Sequence, residues 1–193
     1  MSDRSGRQYR YLPVTMQARH EDSGPVLACY FAVFNTPTEL WPGTIEQIAP
    51  GAFASSLSGD VRALVDHETR LVLGRTTAGT LTLREDATGL YGEIKINEQD
   101  SDAMNLYARV QRGDVSQCSF GFDIVAEDYV VAPDGTCTWT IRDLVLYEVS
   151  VVTFPAYSAT SAMARNDGGY DSLKTIRLKR RKKELLERIC KNA

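Results

Sequence analysis

Thr80-Leu81-Thr82-Leu83-Arg84-Glu85-Asp86-Ala87-Thr88-Gly89-Leu90-Tyr91-Gly92-Glu93-Ile94-Lys95-Ile96 reads as two strands joined by a turn. Leu81 and Leu83 alternate with polar residues, and Leu90, Gly92, Ile94 and Ile96 do the same on the return. A period of two puts one side of each strand on a core and the other in water. Asp86-Ala87-Thr88-Gly89 supplies the turn. The same strand character recurs in both directions. Upstream, Val26 to Phe34 is dense in aromatic and aliphatic residues and reads as a buried strand. Thr44 to Ile48 is a short strand, Val61 to His67 a strand that carries His67 at its end, and Leu71 to Gly74 another. Downstream, Cys118 to Phe122 is a strand, Asp134-Gly135 a turn, and Cys137 to Thr153 alternates long enough to make one bent strand or two. Thr36-Pro37-Thr38 and Trp41-Pro42-Gly43 punctuate a loop, and Pro50 to Leu57 makes a helical turn or two.

One internal helix stands out, Ser101 to Arg112. Ala103, Leu106, Tyr107 and Val110 recur at helical spacing, Asp100 or Ser101 can cap the start, and Gly113 sits where a terminal glycine belongs. Many short strands with no repeating strand–helix alternation argue against a parallel α/β fold. The expected class is α+β, mainly β: a mostly antiparallel β-barrel with peripheral helices. Three regions are expected along the chain. Residues 1–24 form a polar arm in which Tyr9, Tyr11, Leu12 and Val14 have the pattern of an edge strand. Residues 25–160 form the domain, and residues 161–193 a linker and a basic, helical tail.

With 193 residues and 43% apolar content, the chain can bury one core of ordinary size. No apolar run approaches the roughly 18 residues of a membrane helix, and no signal-peptide core follows the polar start. The four cysteines, Cys29, Cys118, Cys137 and Cys190, are scattered, without Cys-x-x-Cys or paired-histidine spacing that would suggest zinc. Free thiols in a reducing compartment are expected, with no metal and no organic cofactor. From Ser172 to the C-terminus there are nine Lys/Arg against two Asp/Glu, which leaves 13 basic and 23 acidic residues elsewhere. A basic tail invites nucleic acid, but an acidic body argues against it.

Three stretches carry candidate chemistry: Val65-Asp66-His67, Cys118-Ser119-Phe120-Gly121-Phe122 and Leu146-Tyr147-Glu148-Val149-Ser150. A serine, a histidine and a carboxylate are the parts of a hydrolase triad: nucleophile, base, and the group that fixes the base's tautomer. There are two histidines, and His20 lies in a polar segment, so a histidine-dependent enzyme would use His67. Glu148 sits among Leu144, Val145, Leu146, Val149, Val151 and Val152, where a charge needs a partner or a function. Asp143 and Asp123 are the other acids in range. Asp66 and Glu68 flank His67 on opposite-facing positions and are poor orienting groups. Ser119 shares a face with Gly121, which leaves room for a substrate, while Phe120 and Phe122 anchor the other face. Ser116 is its rival, and Cys118 points away as a buried thiol.

In order, the chain presents Ile48-Ala49-Pro50-Gly51-Ala52-Phe53, Val61-Arg62-Ala63-Leu64-Val65-Asp66-His67, Leu71-Val72-Leu73-Gly74-Arg75-Thr76 and Gly89-Leu90. Then come Gly113-Asp114-Val115-Ser116-Gln117-Cys118-Ser119-Phe120-Gly121-Phe122, Glu148-Val149-Ser150-Val151-Val152 and Pro155-Ala156-Tyr157. Each piece is weak, but the ordered set resembles the prohead proteases of tailed bacteriophages, relatives of the herpesvirus assembly proteases, over about residues 26–160. The resemblance implies a closed β-barrel surrounded by helices. It implies catalytic residues His67 (base), Ser119 (nucleophile) and Glu148 (third member), the last replacing the second histidine of the herpesvirus enzymes, since no histidine follows Ser119. The oxyanion hole would come from backbone N–H groups near Leu144 to Glu148 or Gly74-Arg75. Arg75 either contacts substrate or pairs with an acid.

The implied function is a serine endopeptidase that cleaves the major capsid protein or its scaffolding region, and itself, inside the assembling prohead in the bacterial host cytoplasm. No membrane partner is implied. The herpesvirus relatives work as dimers, which raises a homo-oligomer here. The competing reading is an inactive capsid-assembly scaffold protein of the same fold; a third is a nucleic-acid-binding module built on the tail.

Overall fold

The computed structural model describes Arg4 and residues 6–12 and 16–154. The basic tail, Cys190 and Pro155-Ala156-Tyr157, expected to close the last strand, lie outside the described residues. Among the described residues there are eleven strands: β1 (Gln8–Leu12), β2 (Gln17–Glu21), β3 (Gly24–Val33), β4 (Thr38–Trp41), β5 (Thr44–Ile48), β6 (Arg62–Val65), β7 (Glu68–Arg75), β8 (Leu81–Glu85), β9 (Gly89–Lys95), β10 (Gln117–Val131) and β11 (Cys137–Val152). One described helix, α1 (Ser101–Arg112), interrupts them, with a 3-10 turn at Thr76–Ala78. The fold is mainly β, as the alternation implies.

α1 has the expected ends. The Asp100 carboxylate accepts from the Asp102 and Ala103 N–H groups, and Gly113 takes the left-handed conformation at φ 89°. Ala103, Leu106, Tyr107 and Val110 are buried. At Pro50 to Leu57 the helical expectation is corrected: consecutive turns, with Ala54 N–H bonded to the Gly51 carbonyl and Ser56 N–H to that of Phe53, replace it. β4 lies where a loop is expected. It is a four-residue strand folded back on β5, too short for periodicity to show.

The expected closed barrel is not formed. Among the described residues the strands make two open sheets, one ordered β1-β10-β11-β5-β4, with β6 pairing β11 and β7, the other β2-β3-β9-β8. Every pairing is antiparallel except those of β11 with β5 and with β6. The reason lies in β11. Its first part, Cys137 to Ile141, takes β5 as a parallel neighbour, and its later part, Glu148 to Val151, takes β6. One long strand thus feeds two separate neighbours, and the sheet forks where a barrel would curl round. Phe31, Phe53, Phe120 and Phe122 fill the core with no exposed surface, Phe120 and Phe122 stacked at 4.9 Å between ring centroids. No described helix is long and apolar enough to cross a membrane.

Candidate active site

β10 and β11 form the floor of the site. Ser119 lies opposite Ser150, and Gly121 opposite Glu148. Past Gly121 the register slips, so that Phe122 faces Leu146 and Tyr147 is the extra residue of a bulge. The slip explains the neighbours of Glu148. Leu144 and Leu146 point into the core on one parity, and Val149 and Val151 do so on the other. Without the bulge Glu148 would follow Leu146 inward; with it, Glu148 emerges on the face shared by Ser119 and Gly121.

His67 arrives from β6, which lies beside this part of β11. β6 ends at Val65, and Asp66 and His67 form the two-residue turn into β7, with Val65 paired to Glu68. Both have positive φ, 46° and 62°, as a type I′ hairpin turn demands. The expectation of a strand running to His67 is corrected by two residues. The physical reason is that a tight turn reverses the chain and lifts the imidazole over β11. Neither residue is glycine, so the turn carries backbone strain at the place where the imidazole is aimed. Asp66 holds it down. Its N–H donates to the Val151 carbonyl, and its carboxylate accepts from the Thr153 N–H at 2.8 Å and hydroxyl at 3.0 Å. Asp66 is therefore committed to Thr153 and not to His67; the poor orienting role expected for it holds, but because of the turn and not because of strand parity.

The structure brings His67 and Glu148 together: Nδ1 lies 2.7 Å from Oε1. A carboxylate only accepts, so Nδ1 carries the proton, and in the neutral imidazole Nε2 is the nitrogen with the lone pair. The second oxygen of Glu148 accepts from the Ser150 hydroxyl at 2.5 Å. Glu148 is 5% exposed, and Ser119 and Ser150 are fully buried. Among the described residues Ser119 Oγ and His67 Nε2 are both buried without a hydrogen-bond partner. They are not bonded to each other in this structure. They share one face of the sheet, since a Cβ on Gly121 would stand 2.4 Å from Glu148 Oε1. Only glycine admits the carboxylate at that position.

β1 borders this face. Tyr11 pairs with Ser119 and Tyr9 with Gly121, and both rings pack edge-on against the imidazole, at 5.7 and 4.5 Å between centroids. The edge strand that Tyr9, Tyr11, Leu12 and Val14 suggest is present as far as Leu12, Val14 lying outside the described residues, and it borders the site.

The rival residues lie elsewhere. Ser116 is exposed before β10. Asp143 accepts from the Ser55 hydroxyl and Asp123 from the Tyr147 hydroxyl. Cys118 Sγ contacts the Tyr30 carbonyl on the core side, and Cys29, Cys118 and Cys137 are free and buried. Burial, with Cys118 adjacent, pushes the Cys29 thiol well above its ordinary value. His20 is exposed on β2. Arg75 is bidentate to Asp60 at 2.6 Å on both contacts, the acid-pairing alternative, and this pair holds the Asp60 carboxyl far below the usual carboxylate range. The N–H groups of Leu144, Leu146 and Arg75 already donate to Ala52, Ser56 and Thr80. These three are not free oxyanion donors. Ser150 is a site residue that sequence reasoning missed.

The model of the caudovirus prohead serine proteases matches residues 13–172. The chain belongs to this family. The prohead protease of Enterobacteria phage HK97 is 34% identical over 152 residues, which cover 77% of this chain and 62% of that protein. The chain thus spans about 62% of the length of this curated relative. The solved structure of the bacteriophage T4 capsid assembly protease matches with a TM-score of 0.50 at 8% identity, over 76% of this chain and 96% of the other. That likeness is one of fold.

Proposed function

We propose that this member of the prohead protease family is a serine endopeptidase using Ser119 as nucleophile, His67 as general base and Glu148 as the orienting acid. The observation that carries the reading is the His67–Glu148 contact, which leaves a free Nε2 on the face that also holds an unpartnered Ser119 hydroxyl. Ser119 attacks a peptide carbonyl while Nε2 takes its proton. Glu148 stabilises the imidazolium and stays ionised. His67 returns the proton to the leaving amine, and water releases the acyl group by the same route. No step calls for a metal or an organic cofactor. The substrates are the major capsid protein or its scaffolding region and the chain itself, inside the assembling prohead of the infected cell. The HK97 relative's name, prohead protease, supports the prohead setting.

A second reading has one observation in its favour. Ser119 has no exposed surface, which an inactive scaffold protein of this fold would tolerate and an enzyme must relieve by moving the chain beside it. Co-expression with the capsid protein separates the two. Discrete truncation of capsid protein or of this chain, measured by intact mass and abolished by Ser119→Ala, is the protease outcome. Identical masses from wild type and Ser119→Ala in assembled shells give the scaffold outcome.

A further inference from the structure

We propose that Ser150 is a positioning residue of this site: its hydroxyl locks the Glu148 carboxylate so that one oxygen is held for His67. The inference rests on the Ser119–His67–Glu148 reading and adds a fourth side chain to it. Ser150 is fully buried, and its hydroxyl donates to Glu148 Oε2 at 2.5 Å while Oε1 meets His67. That length is typical of a hydroxyl bonded to an ionised carboxylate. The two residues are two apart on β11 and share a face, so the bond needs no loop to form it.

A glutamate end is free to spin. Rotation about its last torsion is broad and costs little, and any partial turn would carry both equivalent oxygens away from Nδ1. With Glu148 only 5% exposed, solvent offers Oε2 little to fix its place. The Ser150 hydroxyl fixes it, and also supplies the hydrogen bond that a buried carboxylate needs to stay charged. Ser150 itself has no exposed surface, so an apolar residue there would avoid the cost of burying a hydroxyl. A buried hydroxyl is favourable here because its bond goes to a charged acceptor.

The test uses the full chain and two readouts. The first is the rate at which diisopropyl fluorophosphate modifies Ser119, followed by intact mass, with Ser119→Ala as the blank. The second is the downfield proton resonance of His67 Nδ1–H, assigned with His20→Gln, which reports the bond to Glu148 without any reaction. Ser150→Ala should slow modification by about 10- to 100-fold, the worth of one hydrogen bond to a charged group, and should shift or broaden the resonance. Ser150→Thr, which keeps the hydroxyl, should recover most of both. Should the alanine variant fail to fold, Ser150→Cys, nearly isosteric but a weak donor, should give an intermediate rate. Wild-type rate and resonance in Ser150→Ala would overturn the proposal while leaving Ser119 as nucleophile. A wild-type Ser119 that never reacts would sink the protease reading instead. The resonance would then still decide Ser150: shifted in Ser150→Ala supports its role, unchanged removes it.

Discussion

At the scale of single residues, the site depends on which atom of His67 carries the proton. Glu148→Gln changes that with little change of shape. If Ser150 keeps donating to the remaining amide oxygen, the new NH2 faces Nδ1 and demands an acceptor there, which moves the imidazole proton to Nε2. On the proposed protease reading, cleavage of capsid protein by Glu148→Gln should fall about ten-thousandfold with thermal stability near wild type, measured by intact-mass time courses and calorimetry. Asp66 gives a different signature. Asp66→Ala removes the bonds to Thr153 and leaves alanine at positive φ. Urea unfolding should show a loss of about 1–2 kcal/mol, and activity should fall through a loosened turn. Residue types in the sequence disclosed His67 and Glu148 as a pair to test. The positive φ of Asp66 and His67 stayed hidden, because neither is the glycine that usually marks such a turn. Ser150 was hidden for another reason: a serine two places from a carboxylate has no meaning until both are known to be dry.

At the scale of elements, the β8–β9 hairpin and α1 were legible because local pattern and local chemistry agree there. Asp86 closes the hairpin turn. The Tyr30 hydroxyl and the N–H groups of Thr88 and Gly89 bond its carboxylate and hold it below the usual carboxylate range. A depressed folded-state value means stability that is present above the unfolded value near 4 and is lost as pH falls through the folded one. The melting-temperature gap between wild type and Asp86→Asn should therefore narrow as pH drops below about 4. β11 shows the opposite case. Its hydrophobic period slips between Leu146 and Val149, and that slip is the bulge that turns Glu148 out of the core. The signal was in the sequence, but one skipped position reads equally as a bend or as two strands. Gly121→Ala tests the geometry from the facing strand. The added methyl would stand 2.4 Å from Glu148 Oε1 and 3.0 Å from the Tyr9 ring, so carboxylate or ring must move. Cleavage should fall by at least tenfold, and the His67 Nδ1–H resonance should shift.

At the scale of the whole molecule, what was not legible is pairing between distant strands. Periodicity says that β5 and β6 are strands; it does not say that both lie parallel along β11, and that fork decides against a closed barrel. Nor does it show what fixes β1 beside the site. Arg10 of β1 reaches across the β10–β11 pair to the carboxylate of Glu46 on β5, and Arg4 meets the same carboxylate, bonds Glu127 at 2.6 Å and lies over the Trp139 ring. Glu46 is 2% exposed, and burial pulls both guanidinium groups below their ordinary value. Removing one member of a buried ion cluster strands the others, at a cost of about 3–5 kcal/mol. Glu46→Gln should therefore do more than destabilise. With Arg10 left without its carboxylate and Arg4 keeping only Glu127, β1 is the element that can leave, since among the described residues it pairs with β10 alone. Amide exchange in Gln8–Leu12 should rise far more than in the Ser119–Gly121 and Glu148–Ser150 ladder, and the Ser119 hydroxyl should become more reactive toward diisopropyl fluorophosphate per folded molecule. Uniformly faster exchange across β1, β10 and β11 would mean that β1 and the site open as one unit, and the tyrosines would then belong to the rigid wall of the site.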